Sequence, residues 1–168
     1  GRPPRFAYER GHTFAGRPFA AAQSGERGNQ HCLPPIVGVG ASAGGIEAYK
    51  TFVSNIPADT GIAWVLIQHM APDRESHLCE ILQHESDLPV TEVTRECEVR
   101  ADRVYVISPG RTMTIQDGKL RLVEDHDLLA RRTSIDAFFL SMAEECEEDC
   151  GCALLSGAGT DGTLGLKA

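Results

Sequence analysis

From Ile36 onward, short and wholly apolar runs alternate with segments whose apolar residues recur at helical spacing. That alternation predicts strands buried on both faces, separated by amphipathic helices. Ile36–Gly40 and Ala63-Trp64-Val65-Leu66-Ile67 read as two such strands, Val90–Val93 and Arg103–Ser108 as two more, and Ala153–Ser156 as a fifth. Between them, Ile46, Tyr49, Phe52 and Val53 line the inner face of a helix over about 44–54 that stops before Pro57. Leu78, Ile81 and Leu82 do the same for a helix over about 76–84. Ser134 is placed to cap a longer helix reaching about Glu148, with Ile135, Phe138, Phe139 and Met142 facing inward. One segment breaks the rhythm. Thr112–Gln116 and Lys119–Val123 flank Asp117-Gly118, a pair that supplies the positive φ angles of a two-residue type I′ turn, so they form a hairpin. The expected fold is α/β: a doubly wound, mostly parallel sheet with helices on both faces and one β-hairpin.

Residues 1–34 carry no such period; they are rich in Gly, Pro, Arg, Gln and Ala and run into Leu33-Pro34-Pro35. They are expected to be a disordered leader or linker, with 35–168 as the domain. Arg2, Arg5, Arg10, Arg17 and Arg27 could meet an acidic partner, but a solvated tail accounts for them.

Composition narrows the classes. With 16 basic and 24 acidic residues the formal net charge is −8, which removes the electrostatic footprint of a nucleic-acid binder or of a protein drawn to anionic membranes. The sequence has no apolar run of about 18 residues and no signal-type apolar core, so a cytoplasmic protein with no direct membrane insertion is expected. The cysteines, Cys32, Cys79, Cys97, Cys146, Cys150 and Cys152, form no C-x-x-C pair and read as reduced thiols rather than zinc ligands. The acidic run Glu144-Glu145-Cys146-Glu147-Glu148-Asp149 reads as a solvated helix end, and neither a metal nor a cofactor is implied.

Candidate chemistry gathers where strands end. Gly40-Ala41-Ser42-Ala43-Gly44 satisfies G-x-S-x-G, in which small neighbours allow a sharp strand-to-helix turn that presents the Ser42 hydroxyl. The following helix would aim its free N–H groups and positive dipole end at charge developing there. Two other readings stand beside this one. From Gly38 the stretch is also Gly-x-Gly-x-x-Ala, a dinucleotide-binding variant, although the next strand ends in Gln68-His69 rather than in the acidic residue a ribose needs. It can also be a plain tight turn.

Ligands of open parallel sheets bind outside the carboxyl ends of the strands, and Ser42, His69 and Asp161 each follow a predicted strand. Together they can form a nucleophile, a general base and an orienting carboxylate. Their chain order, Ser, His, Asp, differs from that of the α/β-hydrolases. Singly, His69 can be a structural histidine and Asp161 a cap for the last helix. The glycines around both Ser42 and Asp161 suggest close approach of a ligand to the backbone.

Gly40-Ala41-Ser42-Ala43-Gly44-Gly45, Gln68-His69-Met70 and Ser156-Gly157-Ala158-Gly159-Thr160-Asp161-Gly162 resemble, in order and spacing, the catalytic domain of the chemotaxis receptor methylesterase family (CheB type). Val104-Tyr105-Val106-Ile107-Ser108-Pro109-Gly110 and Ser134-Ile135-Asp136-Ala137-Phe138-Phe139 extend the resemblance. It implies Ser42 as nucleophile, His69 as general base, Asp161 as orienting carboxylate, and backbone N–H groups at Ala43, Ala158 and Gly159 around the oxyanion. The implied reaction is hydrolysis of glutamate γ-methyl esters on cytoplasmic helices of methyl-accepting chemotaxis receptors, with glutamine deamidation as a side activity.

Ala43 and Thr163-Leu164-Gly165 look most like the version in hybrid proteins, which implies a fused or adjacent receptor methyltransferase domain. The chemotaxis enzymes carry threonine where Ala43 stands, and methionine and asparagine where Ala158 and Thr160 stand, so the wall of the pocket differs. The family's usual receiver domain does not fit in 34 residues, and a C-terminally truncated domain is expected, with a helix begun near Thr163. A second functional class is a catalytically degenerate module that docks a receptor or sister domain without turnover.

Overall fold

The computed structural model describes residues 33–41, 45–68, 77–124, 133–146, 149–156 and 160–168. Strand β1 (Ile36–Ala41) lies between β2 (Ala63–Gln68) and β8 (Cys150–Ser156); β2 pairs onward with β5 (Arg103–Ile107), and β5 with β3 (Val90–Val93). Every pairing in this five-stranded sheet, ordered β3-β5-β2-β1-β8, is parallel. The last strand starts at Cys150, three residues before the expected Ala153, because pairing with β1 runs from Ile36 opposite Cys150 onward. Backbone partners extend a strand that its own Cys-Gly-Cys start does not announce.

Alternation along the buried strands divides the core. Val39, Ala41, Leu66, Val104 and Val106 face α1 (Gly45–Val53) and α2 (Leu78–Glu85). Ile36, Val65, Ile67, Tyr105 and Ile107 face the other way, toward Ile135, Phe138, Phe139 and Met142 of α3 (Ser134–Glu145). Of the expected inward residues of α1, Tyr49 and Val53 are fully buried, whereas Ile46 is 41% exposed. The reason lies one residue earlier. Gly45 sits against Ala41 and Gln68, the final residues of β1 and β2, so the first turn of α1 overhangs the sheet edge.

The hairpin forms as the Asp-Gly pair dictates. β6 (Arg111–Gln116) and β7 (Lys119–Glu124) are joined through Asp117 and Gly118 at φ +52° and +71°. A two-residue strand, β4 (Cys97–Glu98), completes a separate antiparallel sheet ordered β4-β7-β6. This sheet docks on α3: the Ile115 N–H donates to Ser141 Oγ at 3.0 Å and the Gly118 N–H to Glu145 Oε1 at 2.8 Å.

Four expectations are corrected. Helix α3 ends at Glu145 rather than Glu148, and Cys146, extended, closes it with an N–H to the Met142 carbonyl at 2.8 Å. Cys146 and Cys150 are joined in a disulfide rather than standing as free thiols, because their Cα atoms, at the end of α3 and the start of β8, lie 5.8 Å apart, well inside bridging range. Cys79, Cys97 and Cys152 are free. Leu33 and Pro34 belong with the domain rather than with the leader, since Leu33 packs on the core and covers the hairpin turn where a side chain at Gly118 would stand. The rest of the expected leader lies outside the described residues. Finally, Thr163 begins no α-helix; residues Gly165–Lys167 form a single 3₁₀ turn. Among the described residues no helix is long and apolar enough to cross a membrane.

Candidate active site

Three adjacent strands release the chain at one edge. Ala41, the last residue of β1, pairs with Gln68, the last of β2, on one side and with Ser156, the last of β8, on the other. Ser42 and His69 therefore follow directly from a cross-strand pair. Ser42, Ala43, His69, Ala158 and Gly159 themselves lie outside the described residues, so Asp161 is the expected site residue whose surroundings are defined.

Those surroundings answer the question left by its motif. Asp161 caps α3. The Ile135 N–H donates to Oδ2 at 3.0 Å and the Asp136 N–H to Oδ1 at 2.9 Å. These N–H groups belong to the first turn of α3, which Thr133, at the N-cap position, leaves without a side-chain capping bond. Ser134, the expected cap, is instead the first helical residue and is buried. The carboxylate also faces the positive end of the helix dipole, which favours its negative charge. A carboxylate oxygen carries two lone pairs, so accepting a backbone N–H does not by itself bar it from accepting an imidazole N–H.

Gly40 and Gly162 have a packing explanation. A Cβ at Gly40 would stand 2.6 Å from Ile135 Cγ2 and 2.7 Å from Leu154 Cδ2; one at Gly162 would stand 2.8 Å and 2.7 Å from the same two atoms. Gly38 similarly makes room for Met142 and Phe139. At these positions the close approach is to α3 and β8. The glycines that suggested a dinucleotide fingerprint are thus accounted for by helix-on-sheet packing. The same contact sets the Asp161 loop beside the end of β1, because Ile135 and Leu154 touch both.

Two residues that the sequence reading did not single out for the site also bear on this edge. The Tyr49 hydroxyl lies 2.7 Å from the Ile67 carbonyl oxygen and 3.1 Å from that of Val39, bridging the ends of β2 and β1. Burial raises its pKa far above the ordinary phenol range, so it stays a neutral donor. Gln68 Oε1 is buried without a hydrogen-bond partner among the described residues, close to Gly45 at the start of α1. Helical spacing could mark Tyr49 as core, but nothing in the pattern says that its hydroxyl spans two strands. Among the described residues no group of three or more His, Cys, Asp or Glu side chains could hold a metal ion.

The family profile described as CheB methylesterase matches residues 37–168. The chain belongs to the CheB methylesterase family. Within it, this chain is 31% identical over 152 residues to protein-glutamate methylesterase/protein-glutamine glutaminase 2 of Burkholderia pseudomallei (strain 1710b), covering 90% of this chain and 44% of that protein. It is 36% identical over 137 residues to a protein of the same name from Cupriavidus metallidurans, covering 80% and 40%. The chain thus spans less than half the length of these curated relatives. Its fold is similar to the crystal structure of the Thermotoga maritima CheB methylesterase catalytic domain, with a TM-score of 0.67 and 29% identity over 80% of this chain and 75% of that one.

Proposed function

We propose that this CheB-family chain is a protein-glutamate methylesterase that uses Ser42, His69 and Asp161. The observation that carries the reading is the anchoring of Asp161, through both oxygens, at the sheet edge from which Ser42 and His69 depart. Membership of the family and the names of the relatives support the substrate class.

In this reading His69 accepts the Ser42 hydroxyl proton as Oγ attacks the ester carbonyl, and Asp161 holds the imidazole tautomer and stabilises its cation. Backbone N–H groups at Ala43, Ala158 and Gly159 receive the oxyanion. Collapse of the tetrahedral intermediate breaks the C–O bond, His69 returns the proton to the methoxide, and methanol leaves. Water, deprotonated by His69, then attacks the acyl-enzyme and releases the glutamate carboxylate and Ser42. A glutamine side chain entering the same path would release ammonia.

The substrate is a methylated receptor's cytoplasmic helix, which puts the chain in the cytoplasm, with residues 33–168 as the catalytic domain and a receptor methyltransferase as fused or adjacent partner. The test is methanol release from a receptor-derived peptide carrying a glutamate γ-methyl ester, together with labelling by a fluorophosphonate. Both should be present in the parent chain and absent in Ser42→Ala at unchanged circular dichroism. Unlabelled, inactive parent protein that still binds the peptide would replace this reading with the docking module.

A further inference from the structure

We propose that Asp136 is a positioning residue for the site, fixing the loop that presents Asp161; the inference rests on the reading of Asp161 as the orienting carboxylate. Asp136 lies in the first turn of α3 and is only 6% exposed. Its Oδ1 accepts the Gly165 N–H at 2.8 Å, in a buried hydrogen bond. Its own N–H donates to Asp161 Oδ1 at 2.9 Å.

One residue of α3 therefore holds both ends of the segment 161–165, by its backbone at Asp161 and by its side chain at Gly165. The arrangement resembles a capping box, except that the partner is a distant loop rather than the preceding turn. The segment has little freedom to answer a change in any other way. Thr163 N–H bonds the Thr160 carbonyl at 3.2 Å, and Leu166 N–H bonds that of Gly162 at 3.0 Å, so the segment is itself a folded turn that moves as a piece. Where Gly165 meets the helix, a Cβ would be 2.5 Å from Phe139 Cβ and 3.1 Å from the Asp136 carbonyl oxygen, so the chain is already at contact.

Loss of the Asp136 acceptor strands a buried N–H, which is relieved only if the segment shifts toward water or another acceptor. Asp161 shifts with it, because the two residues lie on the same turn. A carboxylate that orients an imidazole is sensitive to displacements of about an ångström.

The test compares Asp136→Ala, Asp136→Asn, Asp161→Ala and the double alanine variant, using methanol release from the glutamate γ-methyl ester peptide, below each variant's melting range. For Asp136→Ala, kcat should fall on the order of 100-fold with KM unchanged. The acid limb of kcat/KM should move to lower pH by about one unit or more, because the imidazolium loses its carboxylate neighbour. Asp136→Asn retains an oxygen for the Gly165 N–H and should restore both the rate and the limb. The double variant should be no slower than Asp161→Ala alone, the mark of a residue that acts through another.

An Asp136→Ala enzyme that melts earlier but keeps its kcat and pH limb would overturn the inference while leaving the triad intact. Unimpaired turnover in Asp161→Ala would instead overturn the reading on which the inference rests. Should the alanine variant not fold, Asp136→Ser, too short to reach Gly165, yields the same comparison.

Discussion

The hydroxyl of Tyr49 donates to the carbonyl oxygen of Ile67 across 2.7 Å, two residues before His69. The Val39 carbonyl, three residues before Ser42, lies 3.1 Å from the same hydroxyl. A single buried oxygen on α1 thus governs the spacing of the two strand ends that lead to the proposed nucleophile and base. Tyr49→Phe removes the donor while keeping the ring. It should lower stability by about 1 kcal/mol and slow fluorophosphonate labelling, read from a denaturant midpoint and a labelling time course. Unchanged labelling would reduce Tyr49 to a core residue.

Asp161→Asn preserves shape but turns one acceptor into an amide donor facing a backbone N–H of α3. Because both oxygens are engaged, asparagine is not the innocuous replacement it would be in an ordinary cap. Stability should fall by about 1–3 kcal/mol. Turnover per folded molecule should fall by about 10³–10⁴-fold, through the wrong imidazole tautomer. If the only role of Asp161 were to cap α3, the midpoint would move and the rate per folded molecule would not.

Gly40→Ala drives a methyl against Ile135 and Leu154 and should cost about 1–3 kcal/mol. Gly162→Ala should cost more, since its φ of +87° adds backbone strain to the same clash. Ile135→Ala opens the space, so the Gly40→Ala/Ile135→Ala pair should be less destabilised than the sum of its parts. Thermal or denaturant melts of the four variants measure this coupling; strict additivity would mean that the clash is relieved elsewhere.

The Cys146–Cys150 bridge closes a short ring between α3 and β8. By chain entropy so small a loop contributes about 2 kcal/mol at most, and reduction or Cys146→Ser should lower the unfolding free energy by no more than that. Cys152, whose thiol pKa burial pushes up to about 11, should react slowly with an alkylating agent near neutral pH in the folded protein and quickly once unfolded. Mass spectrometry before and after denaturation reads both. Rapid alkylation of the native Cys152 would contradict its burial.

The parallel strands and the hairpin were legible because each signal is local: an apolar run, an alternating pattern, an Asp-Gly pair. What escaped was set from a distance. The two residues of β4 are too few for any period, and they pair only because β7 offers an edge. The cap of α3 comes from Asp161, far downstream, so the sequence around Ser134 pointed to a local cap that the folded chain does not use. The candidate site was legible as a set of strand ends on one edge, and the structure places Asp161 against the first turn of α3 there. Its dependence on α3 was not legible, because the hydrogen bonds concerned join segments with no common periodicity. Glycines near a strand end look the same whether they admit a ligand or a helix; only the packing of Ile135 and Leu154 separates the cases.

The sheet order also sets a sequence of events in the making of the protein. β1, central to the candidate site, finds one neighbour early in β2, but its other neighbour is β8, at the far end of the chain. Such long-range pairing is slow and closes late. A nascent chain therefore carries Ser42 and His69 long before the loop with Asp161 can dock. On the proposed reading, a chain in which that loop has not yet docked holds a nucleophile and a base without their orienting carboxylate.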